Sequence, residues 1–154
     1  MSEKHTQLQV SAIKDGTVLD HIPSQNLFQV VDILDLTRSG NPITIGVNLE
    51  SRSLGSKGII KIADRFFADE ELSRIALAAP DATVNVIRDY EVVEKKKIEL
   101  PSVVVGIAKC SNPMCVTNHQ PVATRFSTIV DHKKVKLLCH YCEKTTEEFI
   151  PLGH

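Results

Sequence analysis

No stretch of this 154-residue chain approaches the 18 or more consecutive apolar residues that span a bilayer, which excludes a helical membrane span. Glycine is scarce, with seven residues, and none falls in a G-x-G-x-x-G or G-x-x-x-x-G-K-[ST] pattern. A nucleotide bound here must therefore be held by side chains and strand backbone, without a phosphate-cradling loop. No serine lies in a G-x-S-x-G setting, and the four cysteines are spaced for another task, so no credible nucleophile remains and an enzyme is disfavoured. Excess charge is missing too. The net charge is −1, with residues 1–100 carrying −3 and residues 101–154 carrying +2. Internal repeats and low-complexity stretches are also absent. What remains is 42% hydrophobic and 24% charged, an ordinary composition for one soluble globular domain or two small ones.

All four cysteines sit in the last third, as Cys110, Cys115, Cys139 and Cys142, in the pattern C-x4-C, 23 residues, C-x2-C. Two close pairs in turn-like contexts, a hairpin apart, are the spacing that brings four sulfurs onto one tetrahedral metal ion. Paired disulfides are the main alternative. The chain opens Met-Ser-Glu-Lys-His-Thr-Gln with no apolar signal segment, so the expectation is a reducing, cytoplasmic setting and metal. Four thiolates leave Zn²⁺ no open position, which makes the expected role structural; His119, His132 and His140 lie close enough to replace a sulfur. A segment of about 50 residues has little core of its own, and metal binding coupled to folding compensates. The tail's slight positive charge disappears once four thiolates and Zn²⁺ are counted. Its Lys133, Lys134 and Lys136 strip, with Phe126, Tyr141 and Phe149 as stacking candidates, leaves a nucleic-acid zinc ribbon as the second reading, without the charge such a binder needs.

The pattern shifts near Leu100-Pro101-Ser102, placing a linker at 98–102 between domains 1–100 and 101–154. In the first, Leu8, Val10 and Ala12 alternate with polar neighbours, and Val18 to Ile22 extend after Gly16, which predicts two strands. Pro23 and Ser24 stop the strand and cap a helix whose stripe, Leu27, Val30, Val31 and Leu34, runs to about Leu36. Ile43 to Leu49 alternates as a half-buried strand, with Ile59 to Ile62 as its partner after a loop at 51–58. A second helix follows Asp69, with Leu72, Ile75, Ala76 and Ala79 inward until Pro80; Thr83 to Arg88 reads as the final strand. This order is an α+β ferredoxin-like sandwich, an antiparallel sheet with two helices on one face, followed by a small all-β zinc-ribbon-like (rubredoxin-like) domain. The opposite face of the sheet stays available to solvent or to another copy, and a homodimer through helix or sheet fits that geometry.

Asp20-His21 pairs a carboxylate with an imidazole. Strand neighbours point to opposite faces, so these two side chains cannot bond each other without a bulge, and binding fits better than acid–base catalysis. Lys57, Lys61, Lys95, Lys96 and Lys97 offer ammonium groups to an anion and Asp20 suits a ribose diol, but each lysine alone reads more readily as a solvated surface residue.

Val-Leu-Asp-His-Ile-Pro at 18–23, Ile-Thr-Ile-Gly-Val-Asn-Leu at 43–49, Ala-Thr-Val-Asn-Val-Ile-Arg-Asp-Tyr-Glu-Val-Val at 82–93 and Cys-His-Tyr-Cys-Glu-Lys at 139–144 closely resemble the regulatory chain of aspartate carbamoyltransferase. The resemblance runs from about Leu8 to Phe149. It implies a non-catalytic subunit with an amino-terminal allosteric domain for CTP, UTP and ATP and a zinc domain that docks on the catalytic chain. In that family regulatory dimers link two catalytic trimers, and pyrimidine end products inhibit where ATP activates. By position, the resemblance implies that Asp20 and Lys61 meet the ribose and that His21 and Lys95 meet the phosphates. Ile13 and Tyr90 line the base, Asn85, Ile87 and Val92 complete the pocket, and Lys57 sits near a second nucleotide. Asn112 and Glu143 keep their expected identities at the partner contact. Ser11 stands where a Glu is familiar, and Met114 replaces an Asn in the first cysteine loop.

Overall fold

The computed structural model describes residues 12–52, 55–132, 134–147, 149, 150 and 152, and the chain divides between Ile98 and Glu99 into two units. Leu8, Val10, Ser11 and Lys133 lie outside the described residues.

In the first unit the order is β1 (Gly16–Pro23), α1 (Leu27–Ile33), β2 (Ile43–Ser51), β3 (Gly55–Ala63), α2 (Asp69–Ile75), β4 (Thr83–Arg88) and β5 (Glu91–Lys97). The sheet runs β2-β3-β1-β4-β5, antiparallel throughout. Its first four members have the ferredoxin-like strand order. The helices bury Leu27, Val30, Leu72 and Ile75 against Leu19, Ile60, Ile62 and Val84 of the strands, all in one apolar cluster. Asp69, Glu70 and Glu71 occupy the first turn of α2, where carboxylates suit the positive end of the helix dipole.

Four local readings need correction. The second helix, expected to run until Pro80, ends at Ile75 and gives way to a turn over residues 76–78. The helical stripe expected to reach Leu36 breaks at Ile33, because Asp35 turns left-handed (φ 52) and a 3₁₀ turn over Leu36–Arg38 buries Leu36 instead. The loop expected at 51–58 is mostly strand: Glu50 pairs with Ser56 and Ser51 with Gly55, leaving a short tip. Thr83–Arg88 is not the last strand. The charged run Glu94 to Lys97 belongs to β5, an edge strand that pairs with β4 from Arg88↔Glu91 to Thr83↔Lys97. β5 thus adds a strand at the sheet's edge, and the strand expected over Leu8, Val10 and Ala12 lies almost entirely outside the described residues.

One glycine in this unit is required by packing. Gly58 pairs with Ile22, and a Cβ there would overlap Leu27 Cδ1 and lie 3.3 Å from its Cβ and Cγ. Leu27 is fully buried, so it has nowhere to yield.

The second unit is a small sheet in the order β6 (Val103–Val105), β7 (Arg125–Asp131), β8 (Lys134–Cys139), β9 (Thr145–Thr146). Its apolar centre is Val104, Ala108, Phe126 and Leu137, and the buried Thr124 hydroxyl donates to Ala108 O at 2.6 Å. So few buried residues make a thin core. No helix among the described residues is long and apolar enough to cross a membrane.

Candidate functional site

The second unit brings its four cysteines together at the ends of two loops. Cys110 and Cys115 bracket a turn in which Asn112 Oδ1 accepts from Met114 N (3.1 Å) and Asn112 O from Cys115 N (3.0 Å). Asn118 Nδ2 ties the loop down by donating to Cys110 O and Asn112 O. Cys139 ends β8, and Cys142 follows in a turn closed by Glu143 N donating to Cys139 O and by left-handed Glu143 (φ 62). The sulfurs all lie within 4.8 Å of one another, and Cys110–Cys142 and Cys115–Cys139 are each 3.7 Å apart. Zn–S bonds of about 2.3 Å put the edge of a tetrahedron at about 3.8 Å, whereas a disulfide needs about 2.05 Å. The donor set therefore fits one Zn²⁺ and does not fit paired disulfides.

The thiols differ in acidity. Burial is the largest influence on each and opposes ionisation; it pushes Cys110 up to about 12 and raises Cys139. At Cys142 the same burial is overcome by hydrogen bonds from the Asn112 side chain and the Lys144 backbone, and the thiol falls to about 7. Cys115 is also lowered: burial is outweighed by bonds from Thr117, whose hydroxyl donates to the sulfur at 3.2 Å. Thr117 had no sequence signal beyond its closeness to Cys115. Among the three nearby histidines, His119 Nε2 is engaged with Pro113 O at 2.7 Å, and the metal cluster consists of sulfurs alone.

In the first unit, the sheet face away from the helices carries most of the polar residues singled out from the sequence. Cross-strand pairing aligns Lys61 (β3), Val18 (β1), Asn85 (β4) and Lys95 (β5) in one row. Two residues along β1 and β4 in one direction come Gly16 and Ile87, with Val92 opposite Ile87 across a bulge in β5; in the other direction come Asp20 and Thr83. Paired residues share a face, so these side chains stand together. Beside them opens a cavity of about 300 Å³ lined by Ala12, Ile13, Val18, Lys61, Ile87 and Tyr90. Ala12 and Val18 were not singled out in advance, although strand alternation puts Val18 on the face of Asp20.

The Asp20-His21 step is bulged: the β1–β3 register shifts between Leu19 and Ile22, and His21 is left-handed (φ 59). Strain of this kind in a non-glycine residue persists only where its surroundings fix it. Here the Asp20 carboxylate accepts from His21 N (2.6 Å), and His21 Nδ1 lies 3.1 Å from Thr83 Oγ1. Lys57 Nζ approaches both Asp20 oxygens, at 3.0 and 3.2 Å, so the structure joins Lys57 to this cluster. Burial lowers the pKa of Lys61, with the Asp20 charge partly restoring it. Asn85 Oδ1 is buried with no hydrogen-bond partner among the described residues, an unmatched acceptor at the middle of the row. Tyr90 is 66% exposed at the cavity's mouth, in a turn with Asp89 where both residues have positive φ (51 and 66). That turn is pinned to the opening segment: Tyr90 N donates to Lys14 O, and Asp89 N to the Asp15 carboxylate.

Residues 8–99 match the family described as aspartate carbamoyltransferase regulatory chain, allosteric domain, and residues 102–150 match its metal binding domain. A protein of Bacteroides fragilis named aspartate carbamoyltransferase regulatory chain is 55% identical over 144 residues, covering 94% of each chain. One of the same name from Phocaeicola vulgatus is 56% identical over 94% of this chain and 92% of its own. Another, from Pyrococcus abyssi, is 49% identical over 92% of this chain and 94% of its own.

Proposed function

The chain belongs to the aspartate carbamoyltransferase regulatory-chain family, and from that premise we propose that one unit senses CTP, UTP and ATP while the zinc unit docks on the catalytic chain. It is a regulatory, non-catalytic subunit, and its partner is the catalytic chain. We assign residues 1–100 to effector sensing and 101–154 to docking, in the cytoplasm, where thiols stay reduced.

The observation that carries the effector reading is the row Lys61–Val18–Asn85–Lys95 beside a largely apolar cavity, with a carboxylate at its flank. Ile13, Ile87, Tyr90 and Val92 suit a base; Asp20 and Lys61 suit the ribose; His21 and Lys95 suit phosphates. The unmatched Asn85 oxygen asks for an amino or hydroxyl donor, and either a base or a ribose supplies one. Lys57 holds Asp20 and stands near a second nucleotide. Because an effector that binds two states equally shifts neither, control of the catalytic chain requires different affinity in its two arrangements.

Zn²⁺ bound by all four thiolates has no free position and acts as a cross-link between the two loops. Those loops present Asn112 and Glu143, the residues we assign to the partner contact. A homodimer through β2 follows from the contrast of the two sheet edges. β5 carries five charged residues in seven, which discourages strand addition, while β2 carries Glu50 alone among its nine and exposes Ile45.

Calorimetry of the zinc-loaded full chain tests the effector site: CTP and ATP bind, and Lys95→Ala weakens both. Unchanged binding in that variant refutes the pocket. Co-purification with the catalytic chain, followed by mass measurement of the complex, tests the docking assignment.

A further inference from the structure

Three consecutive lysines close β5, and the register sends them to opposite faces. Lys96 pairs with Val84, a core residue beneath the helices, and its ammonium is bound to Asp69 of α2 at 2.7 Å with Glu94 at 3.9 Å. Lys95 and Lys97 pair with Asn85 and Thr83 and so stand on the cavity side. Both are exposed, and neither has an ion-pair partner among the described residues. The one carboxylate sharing their cross-strand rows, Asp20, is already engaged by Lys57.

The face is graded along the strands. Apolar Ile87 and Val92 share the row of Gly16, the next row holds Lys61, Asn85 and Lys95, and the next holds Asp20, Thr83 and Lys97. Each step of two residues advances about 7 Å, so the far row lies about 14 Å from the apolar end. A nucleotide with its base at the apolar end and its sugar near Asp20 and Lys61 therefore has its phosphates directed past Lys95 toward Lys97, with left-handed His21 opposite.

We propose that Lys97 is a further phosphate-binding residue, which contacts the distal part of the chain and makes the site favour triphosphates over monophosphates. The proposal rests on the effector-site reading above. A lysine suits this place as a mobile point charge on a flexible stem, able to follow a phosphate whose position varies with the base.

The test uses the zinc-loaded full chain, with CTP and CMP titrated by calorimetry at low salt. Lys97→Ala lowers CTP affinity about fivefold, the size of one exposed ion pair, and leaves CMP affinity unchanged. It also reduces the salt dependence of CTP binding, and Lys97→Arg restores both. Lys96→Ala, one residue away on the opposite face, leaves the CTP-to-CMP ratio as it was. If Lys97→Ala changes CTP and CMP equally, or changes neither while Lys95→Ala weakens CTP, Lys97 is a solvated surface lysine and the proposal is overturned. If Lys95→Ala also has no effect, the effector site itself is misplaced and the proposal goes with it.

Discussion

Replacing Gly58 with Ala adds one methyl group at a crowded point of the first unit. That methyl meets Leu27, the first residue of α1, which is fully buried and sealed by Ile22, Ile60 and Val30 in the same cluster. Leu27 must leave its rotamer or push α1 off the sheet, and overpacking of this kind costs about 1–3 kcal/mol. For a unit of roughly a hundred residues this corresponds to a fall in Tm of about 5–20 °C. The damage is local in a second sense. Gly58 pairs with Ile22 immediately after the bulge that sets Asp20 and His21, so effector affinity falls together with stability. The assay is calorimetric melting of the zinc-loaded chain with and without CTP, alongside zinc content. Gly58→Ala is expected to lower the transition of the first unit, weaken its shift by CTP, and leave zinc stoichiometry untouched. An unchanged transition would show that Leu27 has room the packing denies.

Cys139→Ala, or removal of zinc by a chelator, is expected to release the chain from the catalytic chain while CTP binding persists; the mass of the complex and calorimetry report the two effects, and joint loss refutes separable units. Zinc affinity rises with pH above 7, because Cys110, near 12, must shed a proton on binding. Below 7 the dependence steepens by about one proton, because Cys142 then starts protonated as well; chelator competition at about pH 6 and 8 measures both slopes, and equal slopes refute the assignment. Burial lowers the pKa of Lys61 from the ordinary 10.5, so its attraction for an anion disappears as pH rises through that lowered value. The sign for the empty unit is opposite: between the lowered and ordinary values only the unfolded chain holds the proton, so stability rises with pH. CTP affinity should therefore fall in the alkaline range, and Lys61→Arg should abolish that fall, as calorimetry across pH shows.

The cysteines were readable because spacing alone determines whether four sulfurs can converge, and the two helices because their apolar stripes have the helical period. β5 was not readable. Its Val92 and Val93 are both exposed and its remaining side chains are all charged, so no alternation of hydrophobicity marks it; only pairing with β4 makes it a strand. The last two residues of β2 and the first four of β3 were hidden for the same reason, since Ser51 and Gly55 look like loop until their pairing is seen. The Asp20 bulge is likewise non-local: whether that dipeptide sits flat or buckles depends on where Ile60 and Gly58 pair with β1. The cluster of Lys57 with Asp20 and of Thr83 with His21 follows from that buckle and from nothing in the adjacent sequence.

The cavity wall is built from the two ends of its unit, with Ala12 and Ile13 on one side and Ile87 and Tyr90, more than seventy positions later, on the other. A small molecule lodged between them acts as a removable staple, adding contacts to a junction that the Tyr90–Lys14 and Asp89–Asp15 hydrogen bonds already hold. Occupancy should therefore be felt as tightening of the whole sensor, from its opening residues to its last strand, which is the kind of stiffening a remote neighbour can read.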